Sequence, residues 1–240
     1  MAPDVVLLHG FTHTGASWDP VVAALAESYR ALAPDIRGHG SATDRMPVAL
    51  EGVLHDFAMV APARCTLAGY SMGGRIALHV ALGLPGRVDR LVLIGASPGI
   101  ADGDEREARR RADERLAAEI EASTIEQFAA RWALTPVLAG QPPAVAAAVA
   151  ADRLRNRPVG LARALRGLGT GALRSLWDRL PELEMPVVLV VGERDQKFRA
   201  IAGEMVASGL ERAEIVVVPG AGHAVHLEAP GAVARVIGEV

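Results

Sequence analysis

Six stretches of the chain run almost continuously apolar and then stop at glycine, proline or a polar residue. They are DVVLLHG (4–10), YRALAPD (29–35), RCTLAGYS (64–71), RLVLIGAS (90–97), PVVLVVGERD (186–195) and AEIVVVPGAGH (213–223). Between them the apolar positions shift to helical spacing, over 17–28, 71–83, 198–208 and 230–239. Strands with no polar alternation, separated by helices, predict a parallel sheet covered on both faces. The fold class expected is therefore α/β, doubly wound. In such sheets ligands bind beyond the carboxyl ends of the strands, so the residues just past each apolar run are the ones that matter for chemistry.

The alternation breaks between Pro98 and Trp177. No apolar run of strand type occurs there; helical spacing covers 104–121, 124–133, 143–156 and 159–168, followed by the glycine-rich GLGTGA. The expected organisation is a core formed by 1–97 and 178–240, with a helical lid, 98–177, inserted in it. This third of the chain holds twelve arginines against ten acidic residues, although the whole chain carries a formal charge of −3. Any one of these arginines also fits a solvated helix face, as those in RRRADER (109–115) partly must.

Composition narrows the classes further. A length of 240 residues suits one substantial core. The slight negative charge argues against nucleic acid as a partner. The single cysteine, Cys65, forms no internal disulfide and suits a reducing, cytoplasmic setting. The opening MAPDVVLLHG reads as a first strand rather than a signal peptide. No stretch reaches the roughly 18 apolar residues of a membrane span. A phosphate-cradling glycine loop and a histidine–carboxylate cluster of ligand spacing are both missing, so no cofactor or metal is expected. The sequence leaves monomer and homo-oligomer equally open.

Candidate chemistry follows the third and the last two apolar runs. GYSMG (69–73) places Ser71 in a G-x-S-x-G pattern where a strand meets a helix, the setting of a nucleophile elbow; a helix-capping serine is the bland alternative. A serine needs a base. GAGH puts His223 past the last strand, with His226 as its nearest rival; His9 is expected to brace the first loop, and His39 sits in the turn RGHG. The base needs a carboxylate, and GERD offers Glu193 and Asp195, of which Asp195 lies further past its strand. An oxyanion site needs backbone donors, expected from Met72 after the serine and Phe11 in the loop HGF. Arg75 lies one helical turn beyond Ser71, on the same helix face, and can reach the pocket floor; otherwise it is a surface arginine paired with an acid.

These motifs together resemble a known family. HGF with Trp18, GYSMGGR, SPGI with the arginine run and Asp113, Trp132 with Pro136, RPVGLARALRGLGTG, GERDQKFR and GAGHAVH are similar to the 2-succinyl-6-hydroxy-2,4-cyclohexadiene-1-carboxylate synthases, menaquinone-pathway enzymes of the α/β-hydrolase fold. The resemblance runs from His9 to His226. It implies a lyase that expels pyruvate from an enolpyruvyl-bearing cyclohexene, with Ser71, His223 and Asp195 as the proton-abstracting base. The substrate it implies is a small molecule with three carboxylates, which explains clustered arginines. By the same resemblance Arg75, Arg109 and Arg153 bind substrate, Arg155 competing with Arg153, and Tyr70 and Trp132 are aromatic pocket residues. The chain departs from the family in lacking a strand hairpin before HGF and a glutamine–proline before the aromatic residue of GALRSLW. A serine hydrolase, or a relative acting on another anionic ring compound, shares the fold and the triad.

Overall fold

A computed structural model describes residues 2–25, 28–210 and 212–238. Positions 26, 27 and 239 of the expected helices lie outside the described residues, as do the two ends of the expected core. All six apolar runs form strands: β1 (Asp4–Leu8), β2 (Arg30–Leu32), β3 (Cys65–Tyr70), β4 (Val88–Ile94), β5 (Val187–Gly192) and β6 (Ala213–Val218). They pair in parallel throughout, in the order β2-β1-β3-β4-β5-β6. The helices are α1 (Asp19–Leu25), α2 (Leu50–Val60), α3 (Met72–Gly83), α4 (Gly103–Glu121), α5 (Ile125–Trp132), α6 (Pro143–Arg153), α7 (Pro158–Leu168), α8 (Gln196–Ala207), α9 (Val225–Glu228) and α10 (Pro230–Gly238). Helix α2 is not among the elements expected above, although Leu50, Val53, Leu54 and Phe57 carry the one-face spacing of a helix.

Alternate strand residues feed opposite faces. Val6, Leu8, Leu67, Leu91, Leu93 and Leu189 pack under α2, α3 and α8, whereas Val5, Leu7, Val92, Ile94, Val188 and Val190 pack under α1 and α10. Both faces of the central strands are therefore dry, which is why they read as apolar runs without alternation, whereas the edge strand β6 leaves Ile215 and Val217 exposed despite its apolar sequence. Strand order reverses at β1 and β3, so the loops leaving these two strands diverge and open a crevice above the sheet.

The segment between β4 and β5 contains α4 to α7 and no strand. It enters and leaves at one neck: Leu176 N–H donates to Pro98 O at 2.9 Å, and the Trp177 indole N–H donates to Gly99 O at 3.1 Å. Its own small core consists of Ala117, Ile120, Phe128, Leu161, Ala162 and Leu165, and Phe11 and Trp132 pack against it. Burying an aliphatic or aromatic side chain of this size contributes about 1.5–3 kcal/mol, so this cluster holds the helices together and anchors them to the loop after β1. Helix starts follow local rules: Asp102 caps α4 by accepting from Glu105 N–H, and Thr124 and Gln127 form a reciprocal capping box on α5.

Candidate active site

Ser71 sits between β3 and α3 with φ 51° and ψ −109°, a left-handed conformation that a non-glycine residue rarely adopts. Packing enforces it. A Cβ on Gly69 would lie 2.5 Å from Gly73 O, and one on Gly73 would lie 2.2 Å from Leu8 O, so only glycines fit on either side of the bend. The serine stands at the N-cap position of α3, yet its side chain makes no capping hydrogen bond. The bland alternative therefore fails, and the hydroxyl is left free for another partner.

That partner is His223. Its Nε2 lies 3.3 Å from Ser71 Oγ, and its Nδ1 lies 2.6 Å from Asp195 Oδ2. Asp195 begins α8 and also accepts from Phe198 N–H at 3.3 Å. With a carboxylate on Nδ1, the imidazole carries its proton there and keeps Nε2 as an acceptor facing the hydroxyl. The rivals are occupied elsewhere. Glu193 accepts from Gly220 N–H, and His226 is fully buried against Trp18 and Tyr70, away from the serine. His9 braces the loop as expected: its Nε2 accepts from Ile36 N–H, and its Nδ1 faces Gly10 O.

A cavity of about 740 Å³ opens over the hydroxyl, lined by Phe11, Ser71, Met72 and His223 from the core and by Arg109, Trp132 and Thr135 from the inserted helices. Among the described residues neither Phe11 N–H nor Met72 N–H enters a backbone hydrogen bond, and both residues face this space. Arg75 also lines it. The guanidinium is buried, only 7% exposed; it touches Leu168 O at 3.4 Å, and its Nε has no partner. Burial, with the charge of Arg109 next in importance, pushes it down to about 10, so it remains positive at neutral pH. Asp113 offsets part of that push without touching the guanidinium, and a buried cation with no carboxylate in contact is expensive, a bound anion being the usual compensation.

Residues 5–236 match the alpha/beta hydrolase family. The chain belongs to that family. A relative from Bacillus subtilis (strain 168), provisionally named 2-succinyl-6-hydroxy-2,4-cyclohexadiene-1-carboxylate synthase, is 37% identical over 98% of this chain and 89% of its own length. A solved structure of MenH from S. aureus superposes with a TM-score of 0.92 at 28% identity, covering 99% of this chain and 92% of that one. A pimeloyl-acyl-carrier-protein methyl ester esterase from Nitrosomonas europaea is 29% identical over 95% of this chain and 91% of its own length. The protein is thus an enzyme of the α/β-hydrolase family, similar over its length both to a chain bearing the synthase name and to an esterase.

The remaining residues expected at the site of this family member divide into two groups. Arg109 and Trp132 line the cavity. Arg109 is held by Asp113, one turn along α4, at 2.7 Å, and Asp113 also accepts from Gly171 N–H. Trp132 meets Phe11 edge-on at 5.4 Å. Tyr70 and Arg153 are not in the lining. Tyr70 is buried behind the base, its ring 5.2 Å from His223 and 4.2 Å from His226. Arg153, only 2% exposed, reaches Thr12 Oγ1 at 3.2 Å, while Arg155 points outward and lies 3.9 Å from Asp152. Both belong to a buried polar layer beneath the site. Lys197, Ser97 and Thr170 line the cavity without having been singled out. The first was legible: it is the chain's only lysine, two residues past Asp195. Among the described residues no group of three or more metal-ligating side chains could hold an ion, and no helix is long and apolar enough to cross a membrane.

Proposed function

We propose that this enzyme is a carbon–oxygen lyase that eliminates pyruvate from 2-succinyl-5-enolpyruvyl-6-hydroxy-3-cyclohexene-1-carboxylate, giving 2-succinyl-6-hydroxy-2,4-cyclohexadiene-1-carboxylate. The observation that carries this reading is Arg75, a buried guanidinium without a carboxylate partner beside Ser71 in one cavity. A neutral ester gives such a group nothing to neutralise, whereas a carboxylate substrate supplies a charge-assisted clamp. The lining offers two further cations, Arg109 and Lys197, and the proposed substrate carries three carboxylates. The provisional name of the Bacillus relative points the same way.

In this mechanism His223, acting through the Ser71 hydroxyl, removes the proton from ring carbon 2, which the succinyl ketone acidifies. The C–H electron pair becomes the 2,3 double bond, and the former 3,4 pair moves to 4,5. The bond from carbon 5 to oxygen breaks, and pyruvate leaves as its enolate, which then takes up a proton. No acyl-enzyme forms. Negative charge gathers on the ketone oxygen at the transition state, and Phe11 and Met72 N–H serve as its oxyanion donors; each such donor contributes about 3 kcal/mol. Asp195 holds the imidazole in the tautomer with Nε2 free. Residues 98–177 act as a lid on the core formed by 1–97 and 178–240, bringing Arg109 and Trp132 over the ring and excluding water. The setting is cytoplasmic in this reading, in keeping with the single buried cysteine.

The test is a turnover assay with the enolpyruvyl substrate, following diene absorbance and released pyruvate, beside p-nitrophenyl acetate. Diene and pyruvate are expected in equal amounts, with slow ester cleavage. Ester cleavage without diene would instead establish the second reading, a carboxylesterase, which the Nitrosomonas relative favours.

A further inference from the structure

The loop after β1 carries a second strained residue. Thr12 has φ 70°, in the left-handed region that a β-branched side chain seldom enters. Such a conformation persists only where the surroundings over-determine it. The surroundings here come from the inserted helices. At the C-terminal end of α6, Asn156 Nδ2 donates to Thr12 O at 2.9 Å, and Arg153 Nε donates to Thr12 Oγ1 at 3.2 Å. Asp152 accepts from Thr14 N–H at 3.0 Å and from the Thr14 hydroxyl, and it faces His13 Nδ1 at 3.2 Å. Asn156 Oδ1 accepts from Gly40 N–H at 3.0 Å, tying the same point to the loop after β2. All of these side chains are buried, and the bonds to the loop after β1 span about 140 residues of sequence. The neighbour of Thr12 on this loop is Phe11, which faces the Ser71 cavity. His13, held by Asp152, packs edge-on against Tyr70, which in turn packs against His223.

We infer that Asp152, Arg153 and Asn156 are positioning residues: the inserted helices clamp the strained loop so that Phe11 N–H points at the developing oxyanion. This inference rests on the oxyanion role given to Phe11 above. It makes the insert part of the catalytic geometry, since a displaced α6 leaves the donor misaligned even where the Ser71–His223–Asp195 chain is intact.

The test uses Asn156→Ala and Asn156→Asp, the second keeping the acceptor for Gly40 but lacking the donor to Thr12. Asp152→Asn serves as a third variant, because it keeps the side chain's size but replaces one of the two carboxylate oxygens that accept from Thr14 with an amide donor. Leu154→Ala, exposed on the same helix end, is the control. The readouts are kcat and KM separately, melting temperature, and affinity for phenylboronic acid. In that adduct the Ser71 oxygen shares an electron pair with boron, its proton passes to His223, and a boronate oxygen occupies the oxyanion position.

Expected are a kcat lower by about tenfold or more, short of the ~100- to 1000-fold that deleting a donor causes, KM within about twofold, and phenylboronate weakened in parallel. Variants that melt earlier but keep kcat and boronate affinity would overturn the inference and leave the clamp merely structural. If the Asn156 variants do not fold, a folded Asp152→Asn with full kcat overturns it equally. Because the boronate reads donor geometry whatever the natural substrate, a protein that binds it but makes no diene refutes the lyase reading and not the clamp. An unmodified protein that binds no boronate refutes the oxyanion role, and the clamp with it.

Discussion

The strand tips and the inserted helices hold the same kinds of charged side chain to opposite effect. At the tips, Ser71, His223 and Asp195 form one hydrogen-bonded chain, and Arg75 is buried without an acid. On the insert several arginines are spent on exposed acids: Arg110 and Arg111 pair with Glu107, Arg166 with Glu114 and Glu121, and Arg157 with Asp44. Exposed pairs of this sort contribute little, because water and salt screen them. A guanidinium count therefore says little about substrate; what marks a binding cation is burial together with a missing partner. By that criterion Arg75 and Arg153 stand apart, and of the two only Arg75 lines the cavity; Arg109 is intermediate because Asp113 already holds it, and Arg110 is solvent decoration.

The comparison can be broken or sharpened in order of effect. Ser71→Ala is expected to lower turnover by roughly 1000-fold or more while the melting temperature holds, since nothing else supplies the hydroxyl at that bend. Near-normal turnover would dismiss the whole strand-tip account. Next, Arg75→Ala should lose about 2–4 kcal/mol of transition-state binding on the anionic substrate, the scale of a desolvated charge-assisted contact. Arg110→Ala in the same assay should change kcat/KM by less than about twofold, as surface pairs do. Equal losses in the two variants would erase the distinction between the regions.

A further contrast between the two regions concerns acid. All seven histidines lie outside 98–177. Burial above all holds His9 and His79 down to about 4 and His39 down to about 3, and it lowers His13 and His226 as well. Above pH 6.5 these rings are neutral whether the chain is folded or not, and they leave stability independent of pH. Below it the unfolded chain takes up protons that the native core refuses, so stability falls as pH drops from 6.5 toward 4, by up to about 1.4 kcal/mol per pH unit for each ring. Guanidinium melts between pH 7.5 and 4.5 should show this slope, and His226→Phe, which removes a ring with two unpartnered nitrogens, should make it shallower. A flat profile would contradict the buried neutral cluster.

How far the chain could be read differs between the same two regions. A residue just past a strand tip has its position set by the strand, so Ser71, His223 and Asp195 could be named from adjacency alone. The choice of Asp195 over Glu193 rested only on its lying further past the strand, and the fold supplies the reason: Glu193 accepts from Gly220 N–H while Asp195 reaches the imidazole. On the insert, helical spacing located α4 to α7 to within a few residues. It could not say that Arg153 turns toward Thr12 and Arg155 toward solvent, or that Tyr70 lies behind the base rather than in the lining. Asp152 and Asn156 had no signal at all, since an acid and an amide at a helix end look like ordinary caps.

The sequence by itself determined the parallel sheet, the elbow and the order of the reacting groups, because each depends on contacts within a few residues: strand periodicity, glycine at a tight bend, a polar residue after an apolar run. Only the tertiary structure decided which cations are dry, which aromatic rings face the cavity, and what holds Thr12 in its strained turn. Burial and hydrogen-bond pairing across about 140 residues depend on how the inserted helices dock, and no local pattern records that.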